Sequence, residues 1–168
     1  MQSSARNQSN HMKQIKLNSG KVIVTDPLYE PSNGFNATLQ DILQGMWNCE
    51  VETKSIALWG KRISSLTIRH EDYPKCRVQE YEANVCVDTG QCGFFSTDYY
   101  EKNQPDDDCD NPQSWYRRVC ELTLNEPKWG TIDDSGVVAA SGFGDGCYDV
   151  YVKRNSSGYI VGIKLKFI

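Results

Sequence analysis

Apolar and polar residues alternate with a period of two along much of this chain, the period of half-buried strands. Trp47, Cys49 and Val51 alternate with Asn48, Glu50 and Glu52, and Leu66 and Ile68 alternate with Thr67 and Arg69, which predicts two antiparallel neighbours. Lys13–Leu17 and Lys21–Thr25 flank Asn18-Ser19-Gly20, punctuation that predicts a paired hairpin, and Asp26-Pro27 ends the second run. Val85–Val87 is a further short run closing on Asp88-Thr89-Gly90. Toward the C-terminus, Val137–Ala140, Tyr148–Val152 and Tyr159–Phe167 are divided by Gly144-Asp145-Gly146 and Asn155-Ser156-Ser157-Gly158, which predicts a meander supplying the central strands. In its last strand Tyr159, Val161, Ile163, Leu165 and Phe167 share the core face, opposite Ile160, Gly162, Lys164 and Lys166.

Helical spacing is rarer. Leu39, Ile42 and Leu43 predict one short helix between Asn36 and Gly45, and Ser96–Glu101 reads as a helical turn. Asn111-Pro112, as cap and first helical residue, opens a second helix whose stripe of Trp115, Tyr116, Val119, Cys120 and Leu122 should cover one sheet face. The expected class is α+β, predominantly antiparallel β, as a twisted sheet or a sandwich or open barrel with two short helices. Residues 1–12 are expected to be a disordered tail or expression-tag remnant, and residues 13–168 a single globular domain.

Charge and cysteine usage narrow the setting. A net charge of −4 lacks the concentrated basic surface that counterion release from phosphates requires, so general nucleic-acid binding is not expected. No apolar run approaches the length of a membrane span, and the polar start has no signal-peptide blocks, so a cytoplasmic protein without a membrane partner is expected. Seven cysteines, an odd count in such a setting, are expected to be free thiols. No Cys-x-x-Cys knuckle is present to build a zinc site.

Several clusters suggest chemistry. Val87-Asp88-Thr89-Gly90 resembles an aspartic-protease loop, with Ile160-Val161-Gly162 imitating the apolar element that follows it, but Gln91 stands where such proteases carry a small residue. Asp106, Asp108 and Asp110 are weak calcium candidates: they begin like an EF-hand, but Asn111 and Arg117 occupy the positions that need Gly and Glu. Ser141 to Gly146 has the glycines of a phosphate-cradling loop but joins two strands, where Asp145-Gly146 suits a hairpin turn. His70, the one histidine beyond the tail, is a single base for seven thiols.

Four phrases in order, Ser19-Gly20-Lys21 with Asp26-Pro27, Val87 to Phe95, Trp115-Tyr116 and Ser141 to Tyr148, resemble the bacterial and phage family catalogued as domain of unknown function 4241. The resemblance implies a single domain over nearly all of the chain after Met12, with Cys92 and Cys147 replacing small residues. It brings no catalytic residues. The loops after Val87, before Asn111 and at Gly144 are expected to converge at one end, making Asp88, Gln91, Asp145 and Tyr148 the candidate ligand-binding residues. No cofactor is expected. The function expected is a non-enzymatic binding or interaction protein, a bacterial or phage accessory factor with a protein or small-molecule partner; the alternative is a hydrolase using Asp88 and Asp145 as paired carboxylates.

Overall fold

The computed structural model describes residues 12–168, so the tail expected over residues 1–12 lies outside it except for Met12. The strands are β1 (Lys13–Leu17), β2 (Val22–Thr25), β3 (Ala37–Leu39), β4 (Gly45–Ile56), β5 (Gly60–His70), β6 (Glu80–Val87), β7 (Gln91–Ser96), β8 (Trp129–Ile132), β9 (Gly136–Ala140), β10 (Gly146–Arg154) and β11 (Ile160–Lys166). Between β7 and β8 lie the helices α1 (Thr97–Asn103) and α2 (Trp115–Leu124). Two antiparallel sheets result, one ordered β1-β4-β5-β11-β10-β6 and one ordered β3-β2-β7-β9-β8. This is the predominantly antiparallel α+β class that the periodicity predicts, in its sandwich form. Among the described residues no helix is long and apolar enough to cross a membrane.

Pleating sends alternate residues of both sheets inward. Trp47, Leu66, Val150 and Ile163 meet Val22, Val24, Phe94 and Val137 in one core. The five-stranded sheet is also buried on its other face, where Ile23, Phe95, Ile132 and Val138 pack against Tyr100 of α1 and Trp115 and Val119 of α2. Burial on both faces explains why β2 and β7 are buried at every position and carry no alternation. Gly93 and Gly136 make room for Phe95: a Cβ on Gly136 would lie 2.3 Å from its ring, and one on Gly93 would meet the Val137 carbonyl at the same distance. Burying a side chain the size of Phe95 contributes on the order of 2–3 kcal/mol.

Five local expectations are corrected. Asn36–Gly45 is extended: Ala37–Leu39 pairs with β2, and Asp41, with φ 56°, turns the chain so that Ile42 bridges to Ile160. Leu39 and Ile42 are both buried, three residues apart, because the chain bends between them. β1 and β2 do not pair with each other; β1 joins β4 and β2 joins β3 and β7, so Asn18-Ser19-Gly20 crosses between sheets. The C-terminal meander is likewise split, since β9 pairs with β7 and β8 while β10 and β11 pair in the other sheet. In β11 a bulge at Val161 reverses the face, which brings Ile160 into the core and leaves Tyr159 46% exposed. The second helix starts later than Pro112: Ser114 is its cap, accepting from the Arg117 amide at 3.3 Å, while Asn111 closes a turn onto Gln113.

Candidate functional site

The loop after β2 and the loop after β6 are joined by one buried carboxylate. Asp26 has no solvent exposure. Its Oδ1 accepts from the Leu28 amide at 3.0 Å and the Thr89 hydroxyl at 2.7 Å, and its Oδ2 accepts from the amides of Asp88 and Thr89 at 3.1 and 2.9 Å. Four donors thus satisfy a charge that would otherwise be costly to bury. The Tyr100 hydroxyl lies 3.1 Å from the Asp26 carbonyl and 2.6 Å from that of Tyr29, and the Trp115 indole donates to the Pro27 carbonyl at 2.6 Å. The helices therefore hold the same loop from beneath.

The loop between β9 and β10 meets this junction. Ser141 donates its amide to the Gly90 carbonyl at 3.0 Å, and a Cβ on Gly90 would stand 3.8 Å from the Gly144 Cα. Gly142, Gly144 and Gly146 all have positive φ, at 58°, 108° and 156°. Because β9 and β10 lie in different sheets, Asp145-Gly146 is part of a crossover and not the expected hairpin turn. Cys86 and Cys147, directly opposed on β6 and β10, form a disulfide with Cα atoms 4.0 Å apart, which corrects the expectation of seven free thiols.

Of the four residues expected to bind a ligand, two are structural. Gln91 is buried beneath α2, where its Oε1 accepts from Thr123 at 2.8 Å and its Nε2 points at the Cys120 sulfur. Tyr148 is buried with its hydroxyl within hydrogen-bond distance of both the Ser141 and Gly144 carbonyls, fixing the crossover. Asp88 and Asp145 are exposed, and both act on the half-buried Tyr29 phenol. Burial, then Asp88, Asp26 and Asp145, holds that phenol above the ordinary tyrosine range. The protease-like elements do not meet within the chain. Val87 pairs with Gly146 and Ile160 with Arg154, so they lie eight residues apart along β10, about 26 Å.

The other candidate chemistry is also placed. The Asp108 carboxylate closes a turn onto the Asp110 amide at 3.0 Å, and Asp106 packs its carbonyl on the Tyr116 amide. Among the described residues, no three His, Cys, Asp or Glu side chains are grouped to hold a metal ion. Both His70 nitrogens are engaged: Nε2 faces the Gln44 carbonyl at 3.0 Å and Nδ1 accepts from the Asp72 amide at 3.1 Å, so neither is available as base to a thiol. Burial pushes the Cys49 thiol up to about 12 and raises Cys92 further, leaving both without thiolate reactivity. Alkylation without reductant should therefore label Cys109 in the native protein and spare Cys49 and Cys92. The unfolded chain should take five labels, and seven after reduction, by intact mass. Labelling of Cys86 in the unreduced, unfolded chain would remove the disulfide.

A second feature had no signal in the sequence. β1 covers β4 only along Gly45–Cys49, and beyond it a cleft of about 700 Å³ opens between the β4–β5 hairpin and the segment from Glu126 to Trp129. Its apolar lining includes Cys49, Val51, Ile63 and Trp129, and its charged lining includes Lys13, Lys61, Arg62 and Lys128 against Glu50 and Glu126. Glu50 pairs with Arg69, and Glu126 stands 3.9 Å from Lys128. Among the described residues, Lys13, Lys61 and Arg62 have no carboxylate within ion-pair distance. The Lys13 ammonium donates to the Trp129 carbonyl at 3.1 Å and sits 3.9 Å from its ring centroid, and burial holds it below the ordinary lysine range. A partly desolvated cation beside apolar walls favours a bound anion. Comparison of the chain with protein-family models, curated proteins and solved structures finds no match.

Proposed function

We propose that this chain is a non-catalytic binding protein whose cleft takes a small anionic molecule with an apolar body. One observation carries the reading: in a chain of net charge −4, a cleft of about 700 Å³ is lined by four cations against two carboxylates, and three of the cations have no carboxylate partner among the described residues. That volume suits a single small ligand, and the apolar side chains of Cys49, Val51, Ile63 and Trp129 stand beside the cations to hold its body. The accessory role in a bacterium or phage and kinship with the domain of unknown function 4241 family belong to the same proposal, supported by the sequence phrases quoted above; cytoplasmic residence belongs to it too, with the Cys86–Cys147 disulfide standing against a reducing compartment. The paired-carboxylate hydrolase keeps one supporting observation, the pairing of Val87 with Gly146 that brings the Asp88 and Asp145 loops together. Against it, both carboxylates are exposed, and the buried one, Asp26, is already saturated with donors.

Anilinonaphthalene sulfonate, an aromatic anion, tests the cleft directly. Saturable binding at one site is expected, weakened about tenfold by Lys13→Gln combined with Lys128→Gln, because each change removes a charge facing the anion. Uncharged phenylnaphthylamine should be indifferent to the two substitutions. Equal sulfonate affinity in the parent and the double variant would refute the assignment.

A further inference from the structure

The β4–β5 hairpin runs past the sheet that carries it. β1 pairs with β4 only as far as Cys49, and β11 pairs with β5 only from Ser65 onward. The four pairs from Thr53 with Ile63 to Ile56 with Gly60 therefore rest on no other strand of their sheet. Ser64 is an extra residue at the base of this segment, since Glu52 pairs with Ser65 and Thr53 with Ile63. Such a bulge bends and twists the hairpin where it leaves the sheet. At roughly 3.3 Å per residue, the unsupported end adds about 10 Å.

Its tip is apolar. Leu58, at φ 71°, is fully exposed, and Trp59 is 53% exposed. Trp59 packs edge-on against Phe143 of the β9–β10 crossover, with ring centroids 5.2 Å apart, and Phe143 is itself 46% exposed. The charges beside this ridge on the hairpin are all positive: Lys54, Lys61 and Arg62, with no Asp or Glu from Thr53 to Ile63. Arg62 donates Nε to the Trp59 carbonyl at 3.0 Å and holds its guanidinium 5.5 Å from the indole, while Lys54 reaches the Ile168 main-chain oxygen at 3.3 Å. The exposed Asp145, two residues beyond Phe143, is the acid nearest the ridge in sequence.

We propose that this tip docks on the surface of a lipid bilayer carrying anionic headgroups. The order of chemistry along the hairpin matches that of the bilayer, with Lys54, Lys61 and Arg62 level with the phosphates, Leu58 and Trp59 beyond them toward the hydrocarbon, and Phe143 packed beside Trp59. Indole rings settle at that boundary, and lysine and arginine near an anionic surface each strengthen binding. A fully exposed leucine at the end of a hairpin suits a deformable partner better than the well-packed pockets that dominate protein interfaces. Docking of this kind calls for no apolar span.

The test is co-sedimentation of the full chain with vesicles of phosphatidylcholine alone and of equal parts phosphatidylcholine and phosphatidylserine. Binding to the mixed vesicles is expected, with at least tenfold less on phosphatidylcholine alone. Leu58→Ser with Trp59→Ser should reduce partitioning at least tenfold, and Lys54→Gln with Lys61→Gln should reduce it by about fivefold per charge. All the substituted residues are exposed, and circular dichroism would confirm that the variants fold. Neither Leu58 nor Trp59 lines the cleft, so sulfonate binding there should be unchanged in the tip variant, which separates this proposal from the ligand reading. Failure to sediment with mixed vesicles, or equal partitioning of parent and tip variant, would overturn it. Self-association of the free protein abolished by the tip variant would instead assign the ridge to a second copy and overturn it too.

Discussion

Asp26→Asn should cost about 3–5 kcal/mol of folding stability, because at least two donors at the junction lose their acceptor at about 1–3 kcal/mol each. The isosteric amide keeps one acceptor and replaces the other by an NH₂ donor. If that donor replaces Oδ2, it faces the amides of both Asp88 and Thr89, and neither backbone group can turn away. If it replaces Oδ1, it faces the Leu28 amide, and only the Thr89 hydroxyl can rotate to accept. Either orientation leaves a buried donor without a partner. Equilibrium urea unfolding would report the change as a lower midpoint at an unaltered slope. Thr89→Val, which removes a single donor and leaves both amides in place, should cost only about 1 kcal/mol. A loss below about 1 kcal/mol for Asp26→Asn would show that the carboxylate does not anchor the junction.

Asp26 also shows where reading the sequence stops. Its neighbour Pro27 marks the end of a strand, and the strand does end there, but the donors that give the carboxylate its role lie 62 and 63 residues away. Long-range partners depend on register, and register is not written in any local window. The β4–β5 pairing was legible because one antiparallel hairpin has its outer face wet along part of its length, so the alternation survives. β2, β7 and β9 are covered by the other sheet on one side and by helices on the other, which erases that alternation. A crossover between facing sheets carries the same Gly, Ser and Asn punctuation as a hairpin, so Asn18-Ser19-Gly20 and Gly144-Asp145-Gly146 carry the sequence signature of local turns.

The candidate site divides the same way. Asp88 and Asp145 lie on loops that the structure brings together, because β6 and β10 pair with Val87 opposite Gly146. Gln91 and Tyr148 looked equally polar in sequence, but each is consumed by the interior, Gln91 by Thr123 and Tyr148 by the crossover carbonyls. The cleft left no motif at all. Lys13, Lys61, Arg62 and Lys128 come from three separate segments, and they face one space only because β1 is shorter than the β4 edge it covers.

Loss of the Cys86–Cys147 disulfide should lower stability by about 2–4 kcal/mol without unfolding the chain. The bond spans 61 residues, and closing a loop of that length removes substantial freedom from the unfolded ensemble. The folded state needs the bond less, since the opposed strands already pair from Val87 with Gly146 to Glu80 with Val152 and Tyr148 and Val85 are buried beside it. Cys86→Ser with Cys147→Ser should therefore unfold at a melting temperature lower by roughly 5–15 °C, and reductant should shift the parent by a similar amount while leaving the variant unmoved. Because the bond stands next to Val87 and Gly146, the extra motion on reduction should concentrate in the Asp88–Gly90 and Gly142–Gly146 loops, where amide exchange should quicken, and leave the α2 face unchanged. A reductant-induced shift that persists in the double variant would trace it to the other five cysteines, and equal melting of all forms would place the disulfide outside the stability of the fold.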